Sequence, residues 1–427
     1  MTPALDLVIA GGGPAGVMAG LLFARAGCKV EVLEKHADFF RDFRGDTVHP
    51  STLELLRELG LLERFLKRPH DEVKRLTARV AGQKITLADM SHLPVESRFV
   101  ALMPQWDFLD FLVQEARHYP GFSLRMEAEV VDLIAENGRV GGVRLNDGEE
   151  VRARLTIAAD GRASILREKG GLPKRDLGAP IDVLWFRLPK RTTPTNETGG
   201  TFGSGTFLVE LDRGDYWQCA QVVPKGTGDE IRSNGLPAFR AGIARAAPEL
   251  GPVVDALQDF DQVKLLSVSL DRLERWWRPG LLAIGDAAHA MSPVGGVGIN
   301  LAVQDAVAAA NILAAPLALG ENVDPLLKKV EERRLFPTRL VQRAQKAVHD
   351  RVLTRLVVRR AVLDKVPLIL RSFDRLHFLR RIPARLVGLG VRREHIRSPD
   401  AGLRRAEFPR PSPPRGSPRS PRRTARS

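Results

Sequence analysis

The chain has 427 residues and 44% hydrophobic content, enough to bury the cores of two or three domains. Two cysteines, Cys28 and Cys219, exclude a disulfide framework, and nine scattered histidines with no helical pair argue against a metal site. The net charge of +14 sits at the C-terminal end: residues 351–400 hold thirteen Arg and Lys against four Asp and Glu, residues 404–427 hold eight Arg against one Glu, and the rest is close to neutral.

The first elements read as strand, glycine turn, helix and strand: "LDLVIA", "GGGPAG", "VMAGLLFARAG" and "KVEVLEK". That order is a βαβ unit. Gly11, Gly13 and Gly16 form G-x-G-x-x-G: the first permits the tight turn, the second lets backbone approach a pyrophosphate, and the third lets helix and strand pack closely. Phosphates would sit on the helix N-terminus, where free N–H groups favour anions. Glu34 closes the second strand, where a carboxylate accepts both ribose hydroxyls and disfavours a 2′-phosphate. The bound nucleotide is therefore expected to be FAD or NAD rather than NADP.

Next, "PSTLELLRELGLLERFL" reads as a helix with Ser51 as its N-cap and an apolar stripe at Leu53, Leu56 and Leu59. "RLTARVAGQKITLADM" alternates as strands do, "PQWDFLDFLVQEARHY" has helical spacing, and Asn146-Asp147-Gly148 marks a hairpin. "TIAADGRASILRE" places Asp160, Gly161, Ser164 and Arg167 after an apolar strand; Asp160 can brace a turn while Arg167 neutralises a phosphate or carboxylate, although a hairpin with a capped helix reads equally well. Residues 181–225 are rich in β-formers, and their aromatics Trp185, Phe186, Phe207 and Trp217 serve either core packing or a substrate pocket.

"GDAAHAMSPVGGVGIN" (285–300) follows the strand "LLAI". Asp286 faces a sugar or polar chain well, and Gly295, Gly296 and Gly298 free backbone N–H groups at a helix start, ready for partial negative charge. Past about residue 335 the chain is helical and basic, ending in the low-complexity tail "PRPSPPRGSPRSPRRTARS", expected to be disordered. The uncharged runs 7–24 and 287–304 are interrupted by glycines and proline and do not read as membrane spans.

Together, GGGPAG with Glu34, Asp160-Gly161 with Ser164 and Arg167, and Gly285-Asp286 with Pro293, Gly298 and Asn300 resemble the group A flavoprotein monooxygenases, of which para-hydroxybenzoate hydroxylase is the best-known member. The resemblance covers roughly residues 5–345 and implies an α/β fold: a Rossmann-like FAD-binding domain (1–75, 101–180 and 270–345) with an inserted β-sheet substrate domain (76–100 and 181–269). A basic C-terminal helical region (346–403) and the Arg/Pro/Ser tail (404–427) would follow. It implies contacts to FAD from Gly11, Gly13, Pro14, Ala15, Gly16, Glu34, Lys35, Arg44, Gln105, Asp160, Gly161, Arg167, Gly285 and Asp286. Pro293 would border the reactive face, and the turn of Gly295, Gly296, Val297, Gly298, Ile299 and Asn300 would meet the pyrimidine edge.

The implied reaction is hydroxylation or epoxidation of an aromatic or otherwise apolar molecule by NADH or NADPH and dioxygen, through a C4a-hydroperoxyflavin. Trp185, Phe207 and Trp217 are the candidate substrate residues. No catalytic base is assigned: His49, Tyr216 and His289 are near the motifs, and His289 reads as structural. Two other readings are an FAD-dependent reductase of the prenyl-chain type and a non-catalytic flavoprotein scaffold. The absence of a second G-x-G-x-x-G suits transient nicotinamide binding, and no specific nucleic-acid function is expected. The expected location is cytoplasmic, as monomer or homodimer. The C-terminal arginines and leucines fit either a helical cap with a solvated face or peripheral membrane contact.

Overall fold

The computed structural model describes residues 5–40, 47–190, 198–203, 206–214, 216–359, 361 and 365–402. The Arg44 position and the Arg/Pro/Ser tail lie outside them.

The expected βαβ start is Leu5–Ala10, the helix Pro14–Arg25 and Val30–Leu33. These strands join a parallel sheet in the order Leu281–Ala283, Glu150–Ala158, Leu5–Ala10, Val30–Leu33, Phe122–Arg125, edged by the antiparallel strand Trp277–Arg278. Parallel strands are covered on both faces, which explains their unbroken apolar runs: Leu7, Val8, Ile9, Val32, Leu155 and Ile157 are fully buried. The helices Pro14–Arg25 and Gly298–Ala318 pack together against this sheet.

A second, seven-stranded sheet runs in the order Lys264–Leu266, Ile181–Pro189, Tyr216–Pro224, Thr206–Asp212, Thr198–Gly203, Arg75–Val80, Gln83–Asp89. Its two faces differ because strand side chains alternate. One face, with Leu184, Phe186, Leu188 and Cys219, packs on Phe239 and Ile243 of the helix Leu236–Ala246. The other, with Val183, Ala220, Val222, Trp185 and Phe207, meets Val294, Leu353 and Val357. A three-stranded ribbon of Thr47–Val48, Val100–Leu102 and Asp71–Val73 stands between the two sheets in sequence and places Thr47 beside Gly296.

One local expectation differs from what is observed. The stretch after residue 50 forms two helices, Pro50–Glu58 and Leu62–Leu66, and His49 rather than Ser51 is the N-cap. Proline at the first helical position starts the helix two residues earlier, and the Ser51 hydroxyl donates instead to Asn300 Oδ1 at 2.6 Å. The basic region after residue 345 packs down as a cap. The helix Asp324–Val348 runs into a π-helical stretch, His349–Val358, that covers the second sheet; Ala384 and Leu389 pack on Val73, Ala88 and Met90, and residues 394–401 reach the helices of the first sheet. One segment, Val294–Ala318, is long and apolar enough to cross a membrane, and 72% of its most apolar window is buried inside the fold.

Candidate active site

The glycine turn is built by close approaches. Gly11 has φ +104°, and a Cβ there would lie 2.3 Å from the carbonyl oxygen of Ala159; a Cβ on Gly16 would lie 1.9 Å from that of Gly11. At Gly13 a Cβ would meet nothing within 4 Å. Gly13 is the N-cap of the helix and no side chain caps it, so the first-turn amides face open space beside Pro14 and Ala15. That is a cradle for a phosphate group.

Glu34 is buried against this turn. Its two oxygens accept the N–H groups of Gly12 (2.8 Å) and His36 (3.1 Å). The cleft continues past exposed Lys35 to Gln105, the first residue of the helix Gln105–Ala116, and to Asp160 and Gly161 on the far wall. Burial pushes the Asp160 carboxyl up, opposed by the Ser164 hydroxyl and the Leu166 N–H. Its Oδ2 accepts Leu166 N–H at 3.2 Å, and its Oδ1 is buried with no protein partner. A cradle with room at Gly13, an anchored carboxylate and an orphaned oxygen on one cleft fit a dinucleotide such as FAD.

Arg167 lies 3.9 Å from the Asp271 carboxylate. Its buried guanidinium donates to the carbonyls of Arg162 (2.7 Å) and Ala287 (3.4 Å), so it ties two turns together instead of facing the cleft. The buried carbonyls of those turns need donors, and this side chain supplies them. A residue passed over in sequence, Arg162, is the one that reaches the site: its Nε lies 3.2 Å from Asp286 Oδ2, both side chains about one-third exposed.

Gly285 adopts φ +60°, and a Cβ there would crowd Ala15 and Ala302, so this turn packs onto the start of the first helix. Asp305 accepts its N–H and also holds His289 Nε2 (2.6 Å) and Arg334 Nε (2.8 Å). Burial raises the Asp305 pKa, but His289 and Arg334 outweigh it and hold the carboxyl below its ordinary range. His289 is thus engaged behind the turn, with its ring against Trp276.

Pro293 opens the next turn, where Gly295 (φ +82°) and Gly296 (φ +63°) are both left-handed. The flanking backbone is clamped from outside: Gln345 donates to the carbonyls of Ser292 and Val294, each at 2.9 Å, and His349 meets the Ser292 hydroxyl at 2.8 Å. The helix Gly298–Ala318 begins with Val297 as an uncapped N-cap, so its first amides are open. Val297 itself is buried among Met291, Leu301 and Val341, and Ile299 packs on the main core. The Asn300 side chain ties two helices together, its Oδ1 accepting the hydroxyls of Ser51 (2.6 Å) and Thr52 (2.9 Å), while its buried Nδ2 has no protein partner.

His49 is buried, with Nε2 3.0 Å from the Gly296 carbonyl and Nδ1 2.9 Å from the Val387 carbonyl. Burial drives its pKa down, opposed by these two carbonyls. The neutral ring carries one N–H for the two carbonyls, and both nitrogens face protein backbone, so it is not placed as a base.

The substrate candidates separate by face. Trp185 and Phe207 lie on the sheet face that meets Val294. Trp217 lies on the opposite face, packed toward the helix Leu236–Ala246 with Lys190 Nζ 4.8 Å from its ring centroid, which removes it from the pocket. Strand alternation dictates this, since Trp217 pairs with Leu188, whose side chain belongs to the rear core. Where the pocket-facing side of that sheet ends, a cavity of about 370 Å³ is lined by His70, Trp106, Arg187, Arg213, Tyr216 and Gln218. The sequence reading singled out only Tyr216 among these, because the others are dispersed and form no motif.

A family model described as an FAD binding domain matches residues 4–344. The chain is 34% identical over 347 residues to a 6-methylpretetramide 4-monooxygenase of Streptomyces rimosus, covering 80% of this chain and 82% of that one. Among solved structures, anhydrotetracycline hydroxylase OxyS of Streptomyces rimosus superposes with TM-score 0.70 at 22% identity, covering 90% of this chain and 76% of that one. PqsL of P. aeruginosa in complex with 2-aminobenzoylacetate has the same TM-score and identity, covering 84% and 98%. The chain belongs to the FAD-binding-domain family as an FAD-dependent monooxygenase of the group A flavoprotein hydroxylase kind.

Proposed function

We propose that this monooxygenase takes electrons from NADH or NADPH and inserts one atom of dioxygen into an aromatic or otherwise apolar small molecule of polyketide-like size. The overall change balances as substrate–H, O2, NAD(P)H and a proton giving substrate–OH, NAD(P)+ and water. The observation that carries the reading is the sheet face of Trp185, Phe207, Val209 and Val222 turned toward Val294, next to Pro293 and the uncapped start of the helix Gly298–Ala318. The names of the relatives, a 6-methylpretetramide monooxygenase and an anhydrotetracycline hydroxylase, favour the same substrate class.

When bound, FAD supplies the two-electron relay and the activation of dioxygen. The protein's residues bind and orient. The Gly13 cradle takes the pyrophosphate, Glu34 the adenosine ribose, and Gln105 and Asp286 the ribityl side, with Asp160 on the facing wall. The 295–298 amides donate to the pyrimidine edge and favour the electron-rich ring, as preorganised donors do wherever negative charge develops. Trp185 and Phe207 form an apolar wall that excludes water from the reacting face. The flavin unit is drawn from 1–75, 101–180 and 270–345, the substrate unit from 76–100 and 181–269.

Turnover of an aromatic panel under labelled dioxygen tests the reading. Label in the product with little released peroxide supports it; substrate-dependent NAD(P)H oxidation with no label in any product overturns it in favour of a reductase. The enzyme is placed in the cytoplasm as a monomer or homodimer. A finer reading, peripheral membrane contact, is favoured by Leu368, Phe378 and Ile382, which stand exposed among Arg371, Arg381 and Arg385. Sedimentation with phosphatidylglycerol vesicles but not with phosphatidylcholine vesicles is its expected signature, and no sedimentation with either removes it.

A further inference from the structure

Residues 381–402 lie beyond the stretch that the family model matches, yet they are laced onto the flavin unit. Glu394 pairs with Arg333 (2.6 Å) and Arg334 (3.3 Å), and Arg334 in turn holds Asp305 behind the Gly285 turn. His395 and the Ile396 N–H both engage Glu58, at 2.5 and 2.7 Å. Asn311 accepts from the N–H groups of Arg397 and Ser398 and donates to the His395 carbonyl. This segment is a strap running from the helix Arg381–Gly388 across the helix Gly298–Ala318.

The strap meets the 295–298 turn through one side chain. The His49 ring stands between the carbonyl of Val387 on the strap (2.9 Å) and the carbonyl of Gly296 in the turn (3.0 Å). The Gly296 carbonyl also accepts the Thr47 hydroxyl at 3.1 Å. Close packing seals the contact: the Val387 side chain packs with Met291, Val297 and Leu301, and a Cβ on Gly388 would lie 2.8 Å from Leu93.

Two consecutive left-handed glycines have little intrinsic preference for one orientation of the peptide that joins them to Val297. The peptide is planar and trans, so gripping the Gly296 carbonyl on one side aims the Val297 N–H to the other. The His49 ring is wedged between the carbonyls of Gly296 and Val387: in the neutral form that burial favours it carries one N–H, donates to one of the two carbonyls and rests its other edge against the second, while the Thr47 hydroxyl donates to the Gly296 carbonyl.

We propose that His49 is a positioning residue for FAD: it clasps the turn to the C-terminal strap, so the strap, although outside the family match, is part of the flavin site. The proposal rests on the turn being the pyrimidine-binding element. It separates from that reading because the clasp itself is measurable without FAD.

The experiment compares His49→Asn, His49→Gln and His49→Ala with wild type by amide hydrogen exchange of the apoprotein and by FAD titration. The Asn amide nitrogen replaces Nδ1 and keeps the strap contact; the Gln amide nitrogen replaces Nε2 and keeps the turn contact. Expected is faster exchange at 295–300 in His49→Asn or at 384–390 in His49→Gln, according to which carbonyl the single ring N–H serves, and at both segments in His49→Ala, where the wedge is gone. FAD affinity falls about tenfold or more in His49→Ala, the scale of a lost buried hydrogen bond. Wild-type exchange at both segments in all three variants overturns the clasp, and so does weakened FAD binding with exchange unchanged. A wild-type protein that takes up no FAD overturns the flavin reading while leaving the exchange result standing. Should the His49 variants not fold, Glu58→Gln loosens the strap from its far anchor; faster exchange at both 384–390 and 295–300 is then expected, and faster exchange at 384–390 alone overturns the proposal.

Discussion

Arg162 and Asp286, separated by 124 residues in sequence, approach to 3.2 Å and join the Asp160-Gly161 turn to the Gly285-Asp286 turn. The same arginine donates to the Ser267 carbonyl, so the second sheet's margin is tied in as well. Asp286 is therefore held in place by a cation before any ligand arrives.

Arg162→Gln is expected to weaken FAD binding about three- to tenfold, because Asp286 loses the group that orients it. The pair is about one-third exposed, so the thermal midpoint of the apoprotein should move by no more than about 2 °C. A large fall in stability with unchanged FAD affinity contradicts this assignment.

Gly13 and Gly16 should respond in opposite ways. Gly13→Ala finds space in the protein and an ordinary φ of −74°, so the apoprotein keeps its stability while FAD affinity drops at least about tenfold, the methyl standing where phosphate oxygens must come. Gly16→Ala places its methyl 1.9 Å from the Gly11 carbonyl and should cost the fold itself. Thermal melts of apoprotein with parallel FAD titrations distinguish the two.

Asp305 carries an acid-side prediction. Its folded pKa lies below the ordinary value, so it contributes stability at pH above the ordinary carboxylate range and loses it as pH falls through the lowered value. Asp305→Asn leaves Arg334 buried without that carboxylate and should cost about 3–5 kcal/mol at pH 7. Its urea-derived stability should also vary less with pH on the acid limb than that of wild type.

Glu210 gives the opposite sign. Burial, with Glu249 nearby, raises its carboxyl to about 7. The folded state binds this proton more tightly than the unfolded state, so stability falls as pH rises from the ordinary value of 4.5 through 7 and then levels. Glu210→Gln should remove that slope and stabilise the protein at pH 8 by no more than about 3 kcal/mol. Equal pH profiles for variant and wild type in chemical denaturation contradict it.

The two sheet tryptophans separate function from packing. Trp185→Ala opens the wall beside Val294 and should raise peroxide release and substrate KM with a small change in stability. Trp217→Ala strips the rear core and should cost about 2 kcal/mol while leaving coupling unchanged. Peroxide yield and denaturation midpoints on both variants decide it.

What was legible in the sequence is what local chemistry enforces. The glycines at 11, 13 and 16, Glu34 at a strand end and the paired glycines at 295 and 296 need particular backbone geometry, so their types and spacing betray them. A motif fixes where Arg167 and Asn300 sit but not which way a long or amphipathic side chain turns; buried carbonyls engage the first and two hydroxyls the second. Arg162, Arg187, Arg213 and the His49 contacts were invisible for another reason. Each depends on residues brought together from distant segments, and no short pattern records a distance of that kind. Trp217 sits between these cases: alternation was readable, but which face looked toward the flavin was not.

The strap has a consequence for how the chain is made. Arg25 Nη1 holds the carbonyl of Ser398 across 373 residues, and the Ala401 N–H donates to the Arg25 carbonyl. The first helix therefore acquires these partners only after residues 398–401 have left the ribosome. Until then the glycine turn, the Gly285 turn and the 295–298 turn wait on an unfinished surface, exposed to premature pairing. Synthesis and cofactor uptake are thereby ordered in time: residues 381–402 arrive after the turns they close over, and FAD loading should lag behind their release.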